Sequence, residues 1–167
     1  MKAMVIVLRL LVQQYRRNFI LYSINIETES MIMKRFEIEL SGSYSQYNVL
    51  YDCIMSIAEK EGYTHAFIEG LQLSMKEAFV NAVKHGNRER DDLTVSCTFT
   101  VTAHSLQASI RDCGKGFNPF SLPNPTDSGY LLRSSGRGVH IIRNIAEIIS
   151  LECDSDGSTL RLHYIPY

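Results

Sequence analysis

At 167 residues the chain has the length of one domain and can bury a sizeable core. Apolar residues make up 45% and charged residues 21%, ordinary globular proportions that exclude a disordered chain. A net charge of −1 excludes a general electrostatic attraction to nucleic acid or to an anionic membrane.

Residues 1–32 form an extension of uncertain status ahead of a domain spanning 33–167. Its apolar run "AMVIVLRLLV" is about ten residues long and is broken by Arg9, whereas a membrane-spanning helix needs about twenty. No small-residue cleavage site follows it, so a signal peptide is not expected. Three readings stand: an amphipathic or partner-binding helix, a poorly ordered extension, or sequence upstream of the true start, since Met31 and Met33 stand directly before a convincing strand.

That strand is "KRFEIEL", where Phe36, Ile38 and Leu40 alternate with Glu37 and Glu39. After "SGSYS", helical spacing of Val49, Leu50, Cys53, Ile54 and Ile57 predicts a helix over about 47–61, stopped by Gly62. Thr64 caps a second helix that runs to about Lys84, its wide apolar stripe including Phe67, Leu71, Met75, Ala78 and Phe79. Strands follow over Leu93–Ala103 and Leu106–Arg111. A connection rich in Pro, Ser, Asn and Gly spans Asn118–Ser135, long enough to suggest a functional loop. A helix then opens at "GRGVHIIRNIAEII", and two strands, around Ile149–Cys153 and Thr159–Tyr164, close the chain. This order predicts an α+β fold, a two-layer sandwich with helices on one face of a mixed or antiparallel sheet.

Cys53, Cys97, Cys113 and Cys153 are far apart with no C-x-x-C pair, so neither a zinc site nor a disulfide framework is expected, and reduced thiols suit the cytoplasm. The five histidines lack metal-ligand spacing.

Three short motifs carry the chemistry. In "MKEAFVNAVKHGN", Glu77, Asn81 and His85 are four apart and share one helix face. An amide oxygen there can hold a hard cation such as Mg²⁺, and the carboxylate can deprotonate a hydroxyl beside it. The plainer reading is a polar helix edge with a helix-end cap. "DCGKGF", with Asp112, Gly114 and Gly116, follows a strand and reads either as a turn or as the floor of a nucleotide pocket. In "GRGVHII", Gly136 and Gly138 let the backbone approach a phosphate at a helix start, and Arg137 can add a charge-assisted bond. Each motif is weak alone. Their order, on the predicted elements, is a strong joint signal.

From about Met33 to Tyr167 the chain resembles the GHKL (Bergerat-fold) ATPase superfamily, a histidine-kinase-like ATPase fold, and within it the anti-sigma factor serine/threonine-protein kinases. "EAFVNAVKHGN" is similar to the family's N box, "DCGKGF" and "GRGVHII" to its two glycine boxes, and "DGSTLRL" to its terminal G-T segment. The resemblance implies Glu77 as general base, Asn81 as Mg²⁺ ligand, and Asp112 as acceptor for the adenine amino group with Thr159 in support. It further implies Gly114 and Gly116 beside the nucleotide, Asn118–Ser135 as a lid over ATP, and Gly136, Arg137 and Gly138 on phosphate. Lys84 and His85 fit either phosphate contacts or helix-end solvation.

The activity so implied is that of a serine kinase that binds Mg-ATP, sequesters a sigma factor and phosphorylates a small anti-anti-sigma (STAS-type) protein. It would act as a homodimer without nucleic acid or stable membrane insertion. Two alternatives remain: an ATP-binding interaction switch without turnover, and a detached histidine-kinase catalytic domain. The latter needs a dimerisation module for which the first thirty residues are too few.

Overall fold

A computed structural model of the chain describes residues 7–15, 19–28, 31–116 and 137–166, the first two strands by their backbone alone. Seven strands form one sheet in the order β1-β2-β3-β4-β5-β7-β6. They are β1 (Val7–Tyr15), β2 (Phe19–Thr28), β3 (Met31–Ser41), β4 (Thr94–Val101), β5 (Leu106–Asp112), β6 (Glu147–Cys153) and β7 (Ser158–Tyr164). Every neighbouring pair is antiparallel. The helices are α1 (Tyr47–Glu61), α2 (His65–Asn81) and α3 (Arg137–Ile145).

The α+β sandwich follows from the two periodicities. On β3, Phe36, Ile38 and Leu40 are buried. On β4 the buried positions are Val95, Cys97, Phe99 and Val101, and on β5 Leu106, Ala108 and Ile110. These alternate positions share one core with the apolar stripes of α1, α2 and α3, including Leu50, Ile54, Leu71, Met75, Phe79 and Ile142. Polar residues occupy the opposite face: Ser96, Thr98, Gln107 and Arg161 are half-buried or exposed. Each fully buried Leu, Ile or Phe contributes about 1.5–3 kcal/mol, so this shared core holds the helical layer to the sheet.

Local signals end the helices where they are expected to. Gly62, at φ 68°, closes α1, and the Thr64 hydroxyl accepts the Phe67 N–H at 3.3 Å to open α2. At its far end α2 departs from the sequence reading. It does not run on as an α-helix to Lys84 but widens after Asn81 into a π-turn, Ala82–Gly86, closed by the Asn87 N–H on the Ala82 carbonyl at 2.8 Å. Single π-turns of this kind recur at functional sites. Arg88 and Glu89 follow with left-handed φ angles of 54° and 59°.

The run beginning "AMVIVLRLLV", for which a helix was one reading, carries strand β1 from Val7. With β2 it forms a hairpin on the outer edge of β3.

Candidate functional site

The site lies where β5 and α2 both end. Along β5 the core-facing positions are Leu106, Ala108 and Ile110, and the next on that side is Asp112. Along β7 the same alternation runs from Leu162 and Leu160 to Ser158. Strand periodicity thus places a carboxylate and a hydroxyl side by side where the apolar core stops, and Asp112 and Ser158 are register partners. The Ser158 hydroxyl donates to Asp112 Oδ1 at 3.0 Å, and the Gly114 N–H donates to the same oxygen at 2.7 Å. Burial pushes the Asp112 carboxyl above the usual aspartate range, and the Gly114 N–H, the Ser158 hydroxyl and the Arg111 charge pull it back in part.

Gly86, which closes the π-turn, packs directly on this carboxylate. A Cβ at Gly86 would overlap Asp112 Cγ, so any other residue there would displace the carboxylate. Gly114 stacks beneath: a Cβ on it would lie 2.6 Å from Gly86 Cα.

On α2, Glu77 and Asn81 are one turn apart on the side that meets α3. A Cβ on Gly138 would lie 2.7 Å from Glu77 Oε2 and 3.5 Å from Asn81 Nδ2, so carboxylate, amide and the first turn of α3 converge. Asn81 Nδ2 is buried and has no hydrogen-bond partner among the described residues.

Between these groups lies a cavity of about 360 Å³, within the range of small-molecule sites. Ala78, Ala82, Ile110, Val139, Leu151 and Leu160 give it apolar walls, and Asn81, His85, Asp112 and Ser158 give it polar groups. Apolar walls with one fixed carboxylate suit a base bearing an amino group. The unpartnered amide beside the first turn of α3, which carries Gly138, suits phosphate and its cation.

The structure therefore brings Asn81, His85, Asp112, Gly116 and Gly138 together around the cavity. Glu77 is not a lining residue, but its carboxylate lies against Gly138. Lys84 is exposed and does not line the cavity, and Arg137 is exposed at the first position of α3. Gly136 and the 118–135 loop lie outside the described residues.

Thr159 does not sit where the sequence reading puts it. Side chains alternate along β7, so with Ser158 facing Asp112, Thr159 turns to the opposite face. There its hydroxyl accepts a bond from Arg111 Nη1 at 3.1 Å. The same guanidinium clamps Asp154 through two bonds of 2.9 and 2.8 Å, and holds that carboxyl down at about 2 with help from the Asp156 N–H. The clamp ties the β6–β7 turn to β5 on the outer side of the site.

Sequence reasoning missed three residues here: Gly86, Asn87 and Ser158. Counting by two along "STLRLHY" from the apolar Leu160 would have found Ser158. Gly86 carried no signal beyond ending a helix.

The family model for the histidine kinase-like ATPase domain matches residues 41–164. The chain belongs to this family. A domain of this family implies ATP binding. Among curated proteins the chain is similar to several named serine-protein kinase RsbW. That of Listeria monocytogenes serotype 4a (strain HCC23) is 23% identical over 121 residues, covering 67% of this chain and 75% of the relative. That of Bacillus subtilis (strain 168) is 24% identical over 121 residues, covering 67% and 74%. That of Bacillus licheniformis is 28% identical over 111 residues, covering 61% and 68%. Strands β1 and β2 precede the matched span. No helix among the described residues is long and apolar enough to cross a membrane.

Proposed function

We propose that the protein is an ATP-dependent serine kinase that holds a sigma factor and phosphorylates a serine on a small anti-anti-sigma protein. The observation that carries the reading is the meeting of Glu77, Asn81 and Gly138 beside the cavity. A protein that merely bound ATP would need Asp112 and the apolar walls, but not a carboxylate against the first turn of α3. The similarity to proteins named serine-protein kinase supports a hydroxyl as acceptor.

In this mechanism the adenine amino group donates to Asp112 Oδ2, because Oδ1 is already occupied by Ser158 and Gly114. The apolar walls exclude water from the base. The N–H groups that open α3 face the phosphates, which stabilises charge as it moves towards the leaving group. Glu77 accepts the proton of the attacking serine as its oxygen bonds the γ-phosphorus, while the bond to the β–γ bridging oxygen breaks and ADP departs.

Mg²⁺ fits the donors present: Asn81 offers a buried amide with unused capacity, turning that amide end for end presents its oxygen, and Mg²⁺ characteristically takes few protein ligands beside waters and phosphates. When bound there, the ion neutralises phosphate charge. Among the described residues no cluster of three His, Cys, Asp or Glu offers an alternative metal site. The setting is the cytoplasm, supported by four unpaired thiols. The working unit is a homodimer.

The test is a titration with Mg-ATP, followed by capture of partner proteins in ATP and in ADP and transfer of labelled γ-phosphate to whatever is captured. Saturable binding and a phosphoserine on the captured protein are expected. Binding without transfer would replace the kinase with an ATP-dependent interaction switch. A folded chain that binds no ATP would overturn the reading.

A further inference from the structure

The ladder between β4 and β5 runs in one register from Val101↔Leu106 to Ser96↔Arg111. Continued by two residues, that register would set Thr94 opposite Cys113. The pairing stops short, and the Asn87 side chain stands in the gap. Its Nδ2 donates to the Thr94 carbonyl at 3.1 Å, and its Oδ1 accepts the Cys113 N–H at 2.8 Å. One amide thus gives each strand the bond that the other strand would have supplied. Among side chains only a carboxamide combines a neutral donor and acceptor in the geometry of a peptide group. Asn87 is 0% exposed, so neither bond has water as a substitute.

The strands part at this amide. β4 stays with β3 as far as the Ser41↔Thr94 pair, while β5 stays with β7 as far as Asp112↔Ser158. The Cys113 N–H that Asn87 holds belongs to the peptide joining Asp112 to Cys113. The preceding residue, Gly86, packs on the Asp112 side chain itself. The end of the π-turn therefore acts as a wedge: Asn87 holds the backbone just after Asp112 away from β4, and Gly86 backs the carboxylate.

We propose that Asn87 is a positioning residue for Asp112, setting where the carboxylate stands in the cavity and thereby the preference for a purine with a 6-amino group. This rests on the nucleotide reading above. Asn87 touches no ligand and acts through the Asp112–Cys113 peptide.

The experiment compares two probes, ATP and purine riboside 5′-triphosphate, which lacks the amino group. Each is titrated into the wild-type chain, Asn87→Ala, Asp112→Asn and the double variant. The wild type should prefer ATP. Asn87→Ala should lose about ten-fold in ATP affinity, the scale of one buried hydrogen bond, with affinity for the amino-free probe unchanged. In the Asp112→Asn background, Asn87→Ala should change the preference no further. If Asn87→Ala does not fold, Asn87→Ser, which retains one hydroxyl for the gap, is read on the same ratio. Equal loss of both probes would mean that Asn87 only stabilises the fold, and would overturn the proposal while leaving the nucleotide reading intact. A wild type that binds both probes alike would overturn the contact between Asp112 and the amino group and this proposal with it, whereas a folded wild type that binds neither would overturn the nucleotide reading.

Discussion

Ser158 donates to Oδ1 of Asp112 across the β5–β7 ladder, and this bond divides the labour of the carboxylate. One oxygen is fixed from the sheet by Ser158 and Gly114. The other is left to accept from a ligand in the cavity. Two donors converging on Oδ1 restrain the carboxylate more than one would, and neither of them uses Oδ2.

Replacing Asp112 with asparagine should weaken ATP binding by roughly 1.5–3 kcal/mol, the range for a hydrogen bond to a charged group. Calorimetric titration checks this, with circular dichroism confirming the fold. Undiminished affinity would remove Asp112 from the nucleotide contact.

Glu77→Ala should abolish phosphate transfer and leave ATP binding largely intact, because a proton acceptor acts in the transfer step and Glu77 is not among the residues that line the cavity. Single-turnover transfer to a captured partner, beside an ATP titration, separates the two effects. Equal loss of both would sink the assignment of Glu77 as base.

Gly86→Ala should impair ATP binding more than stability. Its methyl group would overlap Asp112 Cγ, and the carboxylate is the movable partner. The expected result is a large rise in the Kd for ATP with a modest fall in Tm. A variant that binds normally would show that the carboxylate can shift without consequence.

The raised carboxyl of Asp112 predicts two opposing pH trends. Its folded pKa lies above the unfolded value because burial disfavours the charge. Its contribution to stability is therefore fully present below the unfolded pKa and is lost as pH rises through the folded one. ATP affinity runs the other way, since the adenine contact needs the ionised acceptor. On acidification from neutral pH, ATP binding should weaken before an ordinary aspartate would protonate, with no parallel loss for Asp112→Asn. Titrations over a pH series test this. Identical profiles in both proteins would contradict it.

Tyr164→Phe should destabilise the fold by about 0.5–1.5 kcal/mol, the net worth of one buried hydrogen bond. The Tyr164 hydroxyl meets Ser74 Oγ at 2.8 Å between β7 and α2, and burial pushes its pKa well up. Urea unfolding measures the loss, and ATP affinity should not change because the pair lies outside the cavity lining.

Much of this fold is legible in the chain because its elements are strongly periodic. The alternation of Phe36, Ile38 and Leu40, the stripe of α2 and the Gly62 stop each need only local chemistry. The N-terminal run reads as a helix, a poorly ordered extension or upstream sequence, and its pairing with β2 as a strand is a long-range contact that local chemistry does not reveal. Thr159 went astray because a strand's facing is set by register, and one residue's slip exchanges Ser158 for Thr159.

Local chemistry along the chain sets which groups the site can draw on and the order in which helix, strand and glycine turns deliver them. Helical and strand periods, glycine turns and caps act over a few residues. Which of those groups meet depends on long-range packing. Asn87 reaches Cys113 across 26 positions, and Ser158 reaches Asp112 across 46. No local rule fixes such contacts. They exist because a shared core holds α2 against the sheet, so that the helix end, the parting of β4 from β5 and the end of β7 come to one place.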